Sequence, residues 1–113
     1  MIASYPTRHF QLWEYKVSHG SLLVRSPRKP TIQTNIDIIF VGVEFIGTPR
    51  HFNGIDLMQG TQDDVKSAGA TLGREVQAEQ VFVLISEGSR YFVVATACKL
   101  DENEGDIFDS PFS

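Results

Sequence analysis

The stretch Asn35–Ile46, NIDIIFVGVEFI, constrains the fold more than any other part of this chain. Most of its residues are Ile, Val or Phe, and β-branched side chains suit a pleated sheet better than a helix. Alternate residues of a strand point to opposite faces, and here both sets are apolar through the middle. The pattern predicts a central strand covered on both faces, with a bulge or bend at Gly42.

Other apolar segments predict antiparallel hairpins. Their arms are residues 9–18 with 21–26, around His19-Gly20, and residues 81–86 with 90–100, around 87–89. Between the first hairpin and the central strand, Pro27 and Pro30 lack the N–H that a ladder needs, so they predict a solvated loop. Asn53-Gly54 is a strong turn pair and predicts a chain reversal within residues 50–58.

One segment has helical character. Thr61 and Asp64 have the spacing of a capping box, and they precede apolar residues at helical intervals. Gly69 and Gly73 each cost a helix about 1 kcal/mol relative to Ala, so the sequence predicts a short helix at about 62–68 and, as the less favoured alternative, a single longer helix. The acidic tail, residues 101–113, is expected to be partly disordered.

Together these segments predict a mainly β fold in one domain, residues 1–113. Five to seven strands joined by short turns favour an antiparallel sheet. Strands that are apolar on both faces need cover, and one helix cannot supply all of it. The sheet is therefore expected to curl into a roll or barrel.

Composition and charge narrow the function classes. The chain has one cysteine and a net charge of −4, with six basic and four acidic residues in 1–60 but four and ten in 61–113. Without a large basic stripe, nucleic acid is not an expected partner. There is no signal-peptide pattern and no apolar run of about 18 residues, so we expect a cytoplasmic protein that does not enter a membrane.

No local motif of a common enzyme class is present, and we expect neither catalytic activity nor a cofactor. The three histidines, His9, His19 and His51, do not have the close spacing of a metal site. The acidic run 101–106 does not match an EF-hand loop, because Gly105 falls at position 5 rather than position 6.

Cys98 has two interpretations. It would be a nucleophile if a histidine approached it in space, because a nearby base or cation favours the reactive thiolate. It also lies in a strand pattern beside Ala95 and Ala97, where a free cysteine usually acts as a small buried hydrophobe. We favour the second interpretation.

Two groups of residues are candidate contacts. Arg25, Arg28 and Lys29 lie in and beside the Pro-rich loop and could hold a small anion, although we favour a solvated loop or contacts with the acidic tail. Trp13 and Tyr15 share one face of the first arm by parity. Aromatic residues on a strand usually fill a core, but on an edge strand they would anchor a protein interface.

The sequence therefore predicts a small non-catalytic domain that works through protein contacts, either with a partner or by self-association into a homo-oligomer. The alternative is a ligand-binding or enzymatic β-barrel with a pocket near Trp13, Tyr15 and Cys98. The sequence does not identify a ligand or a partner.

Overall fold

Both predicted hairpins form and belong to one sheet. A computed structural model describes residues 1–112 of the chain. Its strands are β1 (Ala3–Lys16), β2 (Ser21–Ser26), β3 (Asn35–Val41), β4 (Phe45–Gly47), β5 (His51–Gln59), β6 (Val81–Ser86), β7 (Ser89–Val94) and β8 (Ala97–Asn103). They lie in the order β4-β7-β6-β5-β1-β2-β3-β8, and every neighbouring pair is antiparallel.

The prediction of a mainly β, antiparallel fold with one helix is confirmed. Eight strands are found rather than five to seven, because two predicted arms are each divided. The central strand ends at Val41 and resumes at Phe45, after a bend at Gly42 with φ of 67°. A Cβ at Gly42 would lie 2.5 Å from the Thr96 hydroxyl oxygen, so glycine permits both the bend and the close approach.

The sheet curls into a roll. Phe40 of β3 packs edge-on against Phe82 of β6 at 5.7 Å between ring centroids, although three strands separate them in the sheet. The two end strands β4 and β8 continue β3 and β7 along the chain. Backbone bonds from Glu44 to Val94 and from Thr96 to Val41 hold these junctions together, but the regular ladder is interrupted there, so the roll is not a continuous barrel.

The interior of the roll is filled by apolar side chains from six strands. They are Phe10, Leu22, Val24, Ile36, Ile38, Phe40, Phe52, Ile55, Leu57, Phe82, Leu84 and Val93, together with Ala95. Burial of this apolar surface is the main stabilising contribution that a sheet of this kind has.

The helix α1 (Gln62–Leu72) covers the outer face of β6 and β7. Its Thr61–Asp64 capping box is present as predicted, but it extends to Leu72 instead of ending near residue 68. Ala68 and Leu72 pack against Val81 and the neighbouring strands. This packing offsets the low helix propensity of Gly69. Within residues 1–112, no helix has both the length and the apolar character needed to cross a membrane.

The predicted reversal at Asn53-Gly54 is wrong, because β5 runs straight through it. Gly54 has φ of 76° and lies opposite a wide bulge in β1, where the register shifts between Tyr5 and His9. A Cβ at Gly54 would stand 2.7 Å from the Pro6 carbonyl oxygen. The positive φ of Gly54 therefore accommodates the bulge in the neighbouring strand rather than a hairpin turn.

We expect Gly54→Ala to lower the free energy of unfolding by about 3 kcal/mol, because it combines a left-handed backbone with a backbone clash. Gly88 is the matched control: its φ is 80°, but no atom lies within 4 Å of an added Cβ. Gly88→Ala should therefore cost only about 1 kcal/mol. Urea unfolding of both variants measures the difference, and equal losses would contradict the steric explanation.

Candidate functional site

A buried ion pair lies on the outer face of β2 and β3, opposite to the interior of the roll. The register places Arg25 directly across from Asp37. The Arg25 Nε donates to one carboxylate oxygen at 2.7 Å and its Nη2 to the other at 3.0 Å, a bidentate geometry. The two side chains are only 3% and 2% exposed.

Neighbouring groups complete the surroundings of this pair. The Asn103 side-chain amide donates to Asp37 at 3.2 Å, and the Arg25 guanidinium lies 5.6 Å from the centre of the Trp13 ring. Desolvating two charges is costly, and good geometry with further hydrogen bonds is needed to offset that cost. The stability of the pair therefore depends on acceptors for the Arg25 N–H groups that do not bond to Asp37.

Those donors are satisfied by residues 104–112, which we call the strap. The Arg25 Nη1 donates to the main-chain carbonyls of Ile107 at 2.7 Å and Asp109 at 2.8 Å. Lys16 donates to the carbonyl of Phe112 at 2.9 Å. The strap follows β8 and crosses the outer face of β1, β2 and β3, as the helix does on the other half of the sheet.

The beginning of the strap is held in the same way. Arg28 donates to the carbonyl of Glu104 at 2.6 Å, and the buried Asn35 amide donates to the carbonyl of Gly105 at 2.9 Å. The Ser110 hydroxyl also bonds to Glu14 at 2.7 Å. The four side chains Lys16, Arg25, Arg28 and Asn35 therefore line a groove, the strap groove, in which they donate hydrogen bonds to main-chain carbonyls of the strap.

The predicted anion residues do not converge on one point. Arg25 is buried in the ion pair, and Arg28 binds the strap. Lys29 belongs to a turn in which its backbone exchanges two hydrogen bonds with Ile32, and its side chain is exposed. Arg25 and Arg28 therefore meet the acidic tail, as one interpretation of the sequence expected, but they bond to its carbonyl oxygens rather than to its carboxylates.

A bulge separates Trp13 from Tyr15. The β1–β2 register shifts between Leu12 and Glu14, so Trp13 is the extra residue. Trp13 contacts Arg25 on the outer face, whereas Tyr15 lies opposite Leu22, whose side chain belongs to the interior cluster. Because the bulge changes the alternation, the two aromatic residues do not share a face as their parity predicted.

The end of β1 has an open side. Pairing of β1 with β5 ends at Gln11 opposite His51, with one further bond from Leu12 to the carbonyl of Arg50. Pairing with β2 continues to Lys16. Within residues 1–112, no strand pairs with Trp13–Lys16 on the side that β5 has left. We call this segment the open β1 end.

Exposed apolar and basic residues surround the open β1 end. Tyr15 is 44% exposed, and Val17, in the turn that follows, is 80% exposed. A shallow cleft of about 230 Å³, lined partly by Arg50 and His51, marks the point where β5 departs. None of the three ion pairs among the described residues includes Arg50.

Cys98 lies in β8 opposite Phe40 and packs against the interior cluster. Burial raises the pKa of its thiol to about 11. The structure does not bring Cys98 together with Trp13, which lies on the outer face, so it forms no common pocket with that residue. Within residues 1–112, no group of three His, Cys, Asp or Glu side chains is arranged to hold a metal ion.

The sequence interpretation missed Asp37, Asn35 and Lys16 as partners in this face. A signal for the ion pair was present, because Arg25 and Asp37 are single charges within strongly apolar strands. A charge in such a position must find a partner when it is buried. The strap contacts gave no signal, since a main-chain carbonyl has no sequence signature.

No family model matches this chain, and neither a curated protein nor a solved structure matches it. A function therefore has to be inferred from the described residues themselves, chiefly the strap groove and the open β1 end.

We expect Asp37→Asn to lower the free energy of unfolding by about 3 kcal/mol, because it leaves the Arg25 charge buried without its counter-charge. The double variant Arg25→Met with Asp37→Leu should lose less free energy of unfolding than Asp37→Asn, since it removes both charges. Glu44→Gln, which breaks an exposed pair with Arg74, is the control and should leave urea unfolding unchanged. Equal effects of Asp37→Asn and Glu44→Gln would contradict the role of the buried pair.

Cys98 should react with a thiol reagent at pH 8 roughly 100-fold more slowly in the folded protein than in the urea-unfolded chain, because the raised pKa leaves little thiolate. The folded-state rate should rise steadily between pH 8 and pH 10. Reaction rates with an aromatic disulfide reagent test both statements. A folded-state rate equal to the unfolded one would show a reactive cysteine instead.

Proposed function

We propose that this protein is a non-catalytic interaction module that binds an extended segment of a partner protein along the open β1 end. The observation that carries the proposal is the unpaired side of Trp13–Lys16, where β2 pairs and β5 does not. An open strand edge offers free backbone groups that an added strand can pair with. A partner strand here would continue the position that β5 occupies farther along β1.

The side chains along the open β1 end favour the binding of a partner strand rather than protection against strand addition. The other long open edge is β8, where Lys99, Asp101 and Glu102 are exposed. Charged residues of this kind discourage strand addition. In the open β1 end, Glu14 and Lys16 bond to the strap and Tyr15 is exposed, and Val17 in the turn that follows is exposed as well. An added strand would bury Tyr15, and tyrosine is a residue type common at interface anchors.

Charge defines the kind of segment that fits. Arg50 and His51 line the cleft beside the edge, and the exposed Arg50 guanidinium lies in none of the described ion pairs. Acidic side chains in the partner segment would complement the Arg50 guanidinium. The net charge of −4 speaks against nucleic acid as the partner, and the single cysteine is compatible with the cytoplasmic location that we infer.

The test is selection of a random peptide library on the folded protein, followed by measurement of the affinity of the selected peptides. We expect extended sequences with alternating apolar and acidic residues. Hydrogen–deuterium exchange should show that those amides of the open β1 end that do not already donate to β2 become protected on binding, because they enter a new ladder. Tyr15→Ser should weaken binding about tenfold, since it removes a buried aromatic contact.

Leu100→Ser is the matched control for this measurement. Leu100 has nearly the same exposure as Tyr15, 40% against 44%, but it lies on β8. Its substitution should leave the affinity unchanged. Peptides that protect β8, or that bind Tyr15→Ser and the unaltered protein equally well, would overturn the proposal.

A further inference from the structure

A cluster of four polar side chains, the β1–β5 cluster, lies on the outer face of the sheet between the helix and the strap. The register places His9 opposite Asn53 and Gln11 opposite His51, so the four side chains share one face. The aromatic residues between them on each strand belong to the interior of the roll. The cluster joins two distant parts of the chain, so the sequence spacing of the histidines gave no indication of it.

The two histidines of the cluster stack on each other. The ring centroids of His9 and His51 lie 5.4 Å apart, with an interplanar angle of 27°. Two nitrogens that bind one metal ion at about 2.0–2.1 Å are about 3–3.5 Å from each other. Because His51 is exposed, its ring can turn to bring one nitrogen to that separation without any change in the backbone.

Hydrogen bonds determine which nitrogen of His9 is available. The Glu87 carboxylate can only accept, so the Asn53 amide nitrogen faces it, at 3.0 Å. The Asn53 amide oxygen is thereby directed to His9 Nδ1, at 2.8 Å, and this oxygen also can only accept. The hydrogen of the neutral His9 ring therefore lies on Nδ1, and Nε2 is the nitrogen that presents a lone pair.

This arrangement is typical of a histidine that binds a metal ion. A ligating imidazole usually donates its second ring N–H to a neighbouring oxygen, which fixes the tautomer and the orientation of the ring. Asn53 gives His9 that support, and Glu87 in turn holds Asn53. Within residues 1–112 no hydrogen bond engages the His51 ring, so either of its nitrogens can act as the second ligand.

We propose that His9 and His51 together bind one divalent transition-metal ion, with Asn53 as the positioning residue for His9. Imidazole nitrogens suit Zn²⁺, Ni²⁺ and Cu²⁺, whereas Mg²⁺ and Ca²⁺ require oxygen ligands. Two protein ligands leave the remaining coordination positions to water. The second imidazole strengthens binding about 100-fold over one imidazole, because the protein holds both ligands at a high effective concentration. The site contains no residue of the open β1 end, and the proposal does not rest on strand addition.

Titration with ZnCl₂ tests the proposal on ¹⁵N-labelled, full-length protein without a histidine tag, with the ring signals of each histidine followed by nuclear magnetic resonance. We expect the His9 and His51 signals to shift together and to saturate at one Zn²⁺ per chain, while those of His19 stay unchanged at that ratio. MgCl₂ should shift none of them. Equal shifts of all three histidines, or saturation of His9 without His51, would overturn the proposal, because single imidazoles would then bind independently.

Substitutions distinguish a shared site from binding by one histidine. His51→Gln should weaken Zn²⁺ binding about 100-fold in titration calorimetry, because it removes one of the two ligands. His19→Gln is the matched control, since it removes the third histidine, which lies in the turn after β1, and it should leave the affinity unchanged. Equal affinities of His51→Gln and the unaltered protein would contradict a shared site.

The positioning role of Asn53 has its own readout. Before Zn²⁺ is added, the ¹⁵N shifts of the His9 ring should show the hydrogen on Nδ1. Asn53→Ala should remove that preference and weaken Zn²⁺ binding about tenfold. Asn53 is exposed, so the variant should keep the amide spectrum of the folded protein. An unchanged tautomer and an unchanged affinity in this variant would show that Asn53 does not position His9.

Discussion

Val81 and Val83 lie on one face of β6 while Phe82 and Leu84 lie on the other, and all four are buried. Strands of this composition need an apolar neighbour on both faces, and the architecture follows from that need. Curling the sheet brings the inner faces of opposite strands together around Phe40 and Phe82. The outer faces then require separate covers, which the chain supplies from two different segments.

The two covers differ in their physical character. The helix packs Ala68 and Leu72 on an apolar outer surface, so its contribution is mainly hydrophobic. The strap covers the Arg25–Asp37 pair and contributes hydrogen bonds to charged and amide groups. The apolar cover is held by the apolar area that it buries, whereas the polar cover is held by hydrogen bonds to main-chain carbonyls.

The end of β1 contributes both to the strap contacts and to the open strand edge. Glu14 and Lys16 direct their side chains to the strap, while the backbone of the same segment leaves its other side unpaired. The bulge at Trp13 makes this arrangement possible, because it turns Tyr15 away from the face that Trp13 occupies. One short segment can thus support a strap on its face and an added strand along its edge.

The sequence by itself determined the fold class, most strand positions and both hairpins, since these depend on local alternation and turn chemistry. It also determined the start of the helix at Thr61, because a capping box is a local arrangement. It did not determine how far the helix extends, since packing of Leu72 on the sheet overrides the propensity of Gly69.

The tertiary structure alone decided the use of Asn53-Gly54, because a left-handed glycine serves either a turn or a bulge, and only the opposite strand selects between them. It likewise decided the candidate sites. Trp13 and Tyr15 were identified from their type, but their faces depend on a register shift that no local pattern reveals. The strap groove depends on contacts between residues as far apart as Lys16 and Phe112, which only the folded chain brings together.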